Sequence, residues 1–166
     1  MLGRSRKGYY NMAVKKTFRL TKDGIAELEQ ELSGLIAERA VIADNIRTAR
    51  EFGDLSENSE YQSARAAQER NESRIAEIEH ILQNVEVIQA PRGKAKVQLG
   101  SKVTLKGDSG KAKEFQIVGT VEADPLNGKI SDESPIGRAL IGKHEKESVD
   151  IQTPNETQTY TIVSIA

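Results

Sequence analysis

Asp54 and Glu57 stand three residues apart in the run Asp54-Leu55-Ser56-Glu57, and on the first turn of a helix that spacing sends both carboxylates to one side. Paired oxygen donors of this kind suit Mg2+, a hard cation commonly held by one or two carboxylates plus substrate phosphates. Two carboxylates in water hold it weakly, so the sequence supplies half a metal site and a partner must supply the rest. The same Asp and Glu also read as a capping-box-like helix start. Arg47, Arg50 and Arg65 fall nearby in a stretch otherwise rich in acids. Their guanidinium forks match phosphate, and ordinary ion pairing with Glu51 and Glu60 is the competing reading. Tyr61, one turn beyond Glu57, is suited to packing the end of a hairpin or to stacking on a base, and Phe52 precedes the acids. His80 and His144 have no partner at metal-ligand spacing, and no glycine-rich phosphate loop or nucleophile elbow occurs. Nothing here makes a self-contained active site.

Two long amphipathic stretches must position these residues. Before the acids, Ile25, Leu28, Leu32, Leu35, Ile42, Ile46 and Ala49 follow alternating steps of three and four once Arg39 is included. After them, Ala64, Gln68, Asn71, Ile75, Ile78, Leu82 and Val85 do the same. This is the seam of a coiled coil. Read in reverse the stripes match, with Ile25 opposite Val85, Leu28 opposite Leu82, Leu32 opposite Ile78, Leu35 opposite Ile75 and Arg39 opposite Asn71, about a midpoint at Leu55. Helices joined by a short turn are antiparallel neighbours, so the chain is predicted to fold back at residues 54–57. Helix one is expected from about Lys22 to Arg50, with Thr21 as its N-cap, and helix two from about Leu55 to Asn84. At about 1.5 Å per residue the arm reaches about 45 Å. Buried polar positions such as Arg39, Gln68 and Asn71 are suited to fixing its register.

Composition agrees with a thin arm on a modest globular unit. The chain has 166 residues, of which 37% are hydrophobic and 4% aromatic, with no Trp, which argues against one large core. Cysteine is absent, so disulfides and thiolate metal sites are excluded and a reducing cytoplasm is the expected location. No apolar run is long enough to cross a bilayer, and no membrane partner is expected. The net charge of −1 hides an asymmetry, since residues 21–90 carry seven basic and fifteen acidic side chains. An arm so acidic is unsuited to lying along bare nucleic acid and better suited to a protein with a basic entrance. Residues 1–12 are basic, lack the apolar core of a signal peptide and are expected to be a disordered leader, with Met12 a candidate natural start.

Ala90-Pro91-Arg92-Gly93 breaks the helical period and reads as a linker between residues 13–89 and 90–166. Beyond it the period changes to two. Strands are expected at Val97 and Leu99, at Val103 and Leu105, from Phe115 through Ile117 and Val118 to Val121, and over residues 148–152 and 158–165, with a turn at Pro154-Asn155-Glu156. Ser134-Pro135 offers an N-cap followed by proline, and Gly142 a helix stop. The fold class is therefore α+β, a long antiparallel helical hairpin followed by a small, mostly antiparallel sheet with one short helix.

Residues 49–61, Ala-Arg-Glu-Phe-Gly-Asp-Leu-Ser-Glu-Asn-Ser-Glu-Tyr, with Ala64-Arg65, closely resemble the Gre family of bacterial transcript-cleavage factors. A second stretch, Ile130-Ser131 through Ser134-Pro135-Ile136-Gly137-Arg138-Ala139-Leu140-Ile141-Gly142-Lys143, resembles that family's C-terminal signature. The resemblance implies a coiled-coil hairpin and an FKBP-like C-terminal domain that binds bacterial RNA polymerase at its secondary channel. It further implies that Asp54 and Glu57 share a Mg2+ with the polymerase active site, that Arg50 and Arg65 contact the nascent RNA 3′ end, and that Asn58 and Tyr61 support the tip. No cofactor is expected to stay bound to the chain alone, and a monomer that is not itself an enzyme is implied. Phe52 departs from the family pattern, and the leader has no counterpart in it. Rival readings are a Gre-like factor that occupies the channel without stimulating cleavage, a peptidyl-prolyl isomerase on the FKBP-like unit, for which only Phe115 and Tyr160 could line a pocket, and a coiled-coil adaptor without chemistry.

Overall fold

A computed structural model describes residues 17–51, 58–89, 91, 93, 95–107, 110, 112–152 and 157–166. The expected leader, the turn at residues 154–156 and the acids Asp54 and Glu57 lie outside the described residues. The chain begins with a short strand β1 (Phe18–Leu20), followed by the helices α1 (Lys22–Glu51) and α2 (Ser59–Gln83) and a second short strand β2 (Val85–Val87). Thr21 caps α1, its hydroxyl accepting from the Gly24 N–H at 3.0 Å. The helices form the expected pair, with Leu28, Ile42, Ile46 and Ala49 of α1 and Ile75, Ile78 and Ile81 of α2 buried.

Three details depart from the seam read in the sequence. Ile81, outside the heptad series, is buried, while Leu82 is only half-buried. The cause is a third layer: β1 pairs in parallel with β2, Phe18 opposite Val85 and Leu20 opposite Val87, and Leu20 packs with Leu28, Ile78 and Ile81. Val85 is thus a strand residue, though it joins the same cluster. Arg39 does not enter the seam. Its guanidinium turns outward and grips Glu72 with two hydrogen bonds of 2.8 and 2.6 Å, which spares the charge from burial. Asn71 does enter it, 6% exposed, and donates to the Leu35 carbonyl at 3.1 Å. Its Oδ1 has no protein partner among the described residues, so this position costs stability while selecting one alignment of the helices. A second fork, Arg74 on Glu31 at 2.7 and 2.9 Å, also spans the pair.

The C-terminal half contains β3 (Lys102–Gly107), β4 (Ala112–Val118), β5 (Lys129–Ser131), α3 (Pro135–Leu140), β6 (Ser148–Gln152) and β7 (Thr157–Ile165). The sheet order is β5-β4-β3-β7-β6, antiparallel throughout except for β4 with β5. Alternation puts Val103, Leu105, Ile117, Val149 and Ile151 on one face under Leu140 of α3. A register shift between Thr104 and Leu105 skips Val163 of β7, so Ile162 and Ile165 both reach the core despite their odd spacing. Ser134 caps α3 by accepting from the Gly137 N–H at 3.0 Å, and Gly142 follows the helix with φ 82°. Val97 is buried but lies in no strand, its N–H and C=O serving Lys143 and Gly142 beyond α3. Val121 does not extend β4, because the chain leaves the sheet at Gly119 into a 3-10 turn over Thr120–Glu122. The strand β5 was invisible to alternation, having a single apolar residue in three. Phe115 and Tyr160 pack against this core, Tyr160 lying over Gly107 and donating to Gln158 at 2.5 Å.

Two outcomes follow for stability. A Cβ on Gly119 would lie 1.9 Å from the Arg19 carbonyl oxygen, so Gly119→Ala should lower unfolding stability by about 3 kcal/mol or more in urea titration. Hydrogen bonding by Arg74 holds the Glu31 carboxyl below its ordinary range, and Arg39 does the same to Glu72. Both contributions are complete above the unfolded-state carboxylate pKa and are lost as pH falls through the lowered folded values. Melting temperature should therefore fall on acidification from about pH 7 to about pH 3, less steeply in Glu31→Gln.

Candidate functional site

The far end of the helix pair is fastened by Asn58. Its side-chain oxygen accepts from the N–H groups of Glu60 and Tyr61 at 3.1 and 3.2 Å, and its amide donates back to the Ala49 carbonyl on α1 at 2.8 Å. With φ −79° and ψ 99° it is the N-cap of α2, which begins at Ser59 instead of near Leu55. The cap that the Asp54/Glu57 spacing suggested is thus filled by Asn58. Asp54, Glu57 and Phe52 themselves lie outside the described residues, in the segment 52–57 that joins the two helices. Among the described residues no group of three or more His, Cys, Asp or Glu could hold a metal ion.

The three arginines are differently engaged. Arg50 places its guanidinium carbon 5.8 Å from the centre of the Tyr61 ring, across the junction of the helices. Arg47 pairs with Asp44 on its own helix at 2.5 Å, with side chains 73% and 62% exposed. Arg65 donates to Gln68 at 2.6 Å. Exposed i, i+3 contacts of this strength are readily exchanged for a phosphate, because they involve little desolvation on either side. The predicted partners Glu51 and Glu60 are not those of Arg47 or Arg65. Between the helices Asn45, Thr48, Ser59, Ser63 and Ala64 line an open groove of about 540 Å3.

At the opposite end, α1 is joined to the C-terminal half by charge. The Glu122 carboxylate accepts from the Thr21 N–H at 2.9 Å and from the Thr21 hydroxyl at 2.6 Å. Lys129 reaches Glu27 on α1 at 2.7 Å and Glu122 at 3.6 Å, and Arg19 pairs with Asp132 at 2.6 Å. Burial works to lower the Lys129 pKa, but the hydrogen bond and charge of Glu27, with Glu122 behind it, outweigh burial and leave it above the ordinary value. Sequence reasoning missed this junction. Its one signal was Gly24, since glycine in the first turn of a long helix is unfavourable unless something lies against it, and a Cβ there would come within 2.4 Å of the Glu122 side chain.

Comparison with known proteins settles the family. The model of the N-terminal domain of transcription elongation factors matches residues 18–87, and that of the GreA/GreB C-terminal domain matches residues 92–166. The transcription elongation factor GreA of Roseiflexus sp. (strain RS-1) is 45% identical over 149 residues, 88% of this chain and 95% of that one. The chain belongs to the GreA/GreB family. GreA of Bacillus subtilis (strain 168) is 42% identical, spanning 93% of this chain and all of its own. Among solved structures, GreA factor homolog 1 of Thermus thermophilus is 29% identical and covers 91% of this chain and 99% of its own, with a TM-score of 0.42. Within this GreA/GreB chain, no described helix is long and apolar enough to cross a membrane.

The double role of Asn58 gives a differential test. Asn58→Ala should lower stability by about 1 to 2 kcal/mol and speed amide exchange at Glu60 and Tyr61. Asn58→Asp, which can still cap but cannot donate to Ala49, should recover only part of that loss, as read by urea unfolding and hydrogen exchange.

Proposed function

We propose that this chain is a cytoplasmic, monomeric accessory factor of bacterial RNA polymerase. Residues 90–166 dock on the polymerase, the helix pair enters the secondary channel, and its tip stimulates the polymerase's own cleavage of the 3′ end of backtracked RNA. The chain is not a nuclease alone. One observation carries the reading: Asn58 ties the start of α2 to the end of α1, directly beside the segment that bears Asp54 and Glu57, at the end of an arm about 45 Å long. Acids presented there suit a site that another protein must complete.

The donor set, two carboxylates three residues apart and nothing softer, fits Mg2+ as an incomplete site. Asp54 and Glu57 would hold that ion jointly with polymerase groups, and when bound it supplies charge stabilisation at the phosphodiester undergoing hydrolysis. Arg47, Arg50 and Arg65 bring positive charge to the displaced RNA, where guanidinium forks engage phosphate and hold the 3′ segment in place. Asn58 and the Arg50–Tyr61 contact keep the two helix ends together during that engagement. The acidic flank of the arm lies towards protein, in a channel whose walls would have to be basic.

Replacing Asp54 and Glu57 together by Ala should abolish stimulated cleavage in stalled elongation complexes, a loss of at least about a hundredfold, while competition binding to polymerase stays within about threefold. Full cleavage by the double variant would sink the proposal. Binding without any stimulation by the unaltered chain would favour a factor that occupies the channel and regulates polymerase without cleavage.

A further inference from the structure

Glu122 is a carboxylate that the proposed chemistry does not use, yet its side chain is only 3% exposed. Both of its oxygens are spent on one residue of the other half of the chain: Oε2 on the Thr21 N–H and Oε1 on the Thr21 hydroxyl, 101 positions away. The same hydroxyl accepts from Gly24 at the first turn of α1, so the carboxylate holds the helix through its cap. Lys129 closes the arrangement by bridging Glu122 to Glu27 one turn further along α1. An added Cβ would lie 1.9 Å from the Arg19 carbonyl oxygen at Gly119, and at Gly24 it would lie 2.4 Å from the Glu122 carboxyl carbon and displace that carboxylate. Arg19 and Asp132 add a further charge contact, with the Asp132 side chain 9% exposed.

A surface ion pair would not need such a setting. A desolvated carboxylate with satisfied oxygens is directional, and breaking one side of it is costly, so it selects a single orientation. Orientation matters because of leverage. With α1 about 45 Å long, a rotation of about 5° at its base moves the far end by about 4 Å. Misplacement of a reacting group by about 1 Å is enough to reduce a rate about a hundredfold.

From this geometry we propose that Glu122 is a positioning residue: through Thr21 it fixes the angle of the helix pair on the C-terminal half and thereby sets where the tip acids arrive in the polymerase. The proposal rests on the cleavage reading given above. It places the control of tip position at the end of the arm remote from the chemistry, in residues that touch neither RNA nor metal.

The test uses the full chain with stalled elongation complexes. Glu122→Gln removes the charge and leaves one acceptor oxygen where the carboxylate had two, so one of the two Thr21 donors loses its acceptor. Thr21→Val removes the hydroxyl while keeping the shape, and Thr21→Ser restores it. With Glu122→Gln and Thr21→Val, the cleavage rate at saturating factor should fall about tenfold or more, while the half-saturating concentration stays within about threefold; Thr21→Ser should return most of the rate. Because the chain has no cysteine, Arg70→Cys and Lys113→Cys allow two spin labels, one on the arm and one on the sheet. Their distance distribution should be narrow in the unaltered background and broadened in both disruptive variants. A fold defect would lower the melting temperature in Thr21→Val and Thr21→Ser alike and leave no rescue, which counts against the proposal. Distances and saturating rates unchanged in both disruptive variants overturn it while leaving the cleavage reading intact. Absence of stimulation by the unaltered chain overturns the cleavage reading, and the positioning role falls with it.

Discussion

One buried carboxylate decides how the two halves of this protein become a single body. Glu122 sits where the positive end of α1 and the Lys129 ammonium meet, and both of its oxygens accept from Thr21. A negative charge is tolerated there because every element around it is complementary. The helix terminus offers N–H groups, the lysine offers charge, and the two glycines remove the bulk that would otherwise keep the halves apart. The helix pair and the sheet each have their own apolar cluster, and neither cluster extends across this contact. Directed hydrogen bonds and charge therefore span the contact where neither apolar cluster does.

The arm solves a different problem. A two-helix pair buries one stripe per helix, so it has little hydrophobic surface to offset the entropy of ordering so many residues. At its base the parallel pairing of β1 with β2 adds Phe18 and Leu20 as a third layer. Midway, where residues 36–41 of α1 are all exposed, the seam relies on Asn71 reaching Leu35 and on arginine forks outside it. At its end Asn58 binds both helices. Apolar packing thus dominates near the sheet and returns at Ile42, Ile46 and Ala49, while directed hydrogen bonds serve the exposed middle and the end of the arm.

Much of this was legible in the residues, and the failures share a cause. The helix pair was readable because α1 and α2 repeat their pattern over many turns, and the cap at Thr21, the Ser134-Pro135 helix start and the strands β3, β6 and β7 carry strong local signals. Strands β2 and β5 have three residues each, too few for alternation to register, and exist only because of their partners. Ile81 is buried for the same reason. Asn58 was overshadowed as a cap by the acidic pair before it, although a neutral amide, unlike a carboxylate, can both accept from α2 and donate to α1. At the tip, the residue types disclose carboxylate and guanidinium chemistry directly. Their surroundings could not be read, because under the proposed function half of what would surround them belongs to another molecule.

Strand order imposes a schedule on how the chain assembles. Everything that builds the helix pair and its small parallel sheet lies between residues 18 and 88, so that unit has all its partners as soon as this stretch is available. The larger sheet is different, for β7 lies inside it, between β3 and β6. Until residue 165 has been made, β3 lacks a neighbour on one side and β6 has no neighbour at all, leaving hydrogen-bonding edges open. During synthesis a finished, strongly acidic arm would therefore precede an unfinished sheet, and like-charge repulsion between arms on neighbouring nascent chains would oppose the edge-to-edge association that such a sheet invites.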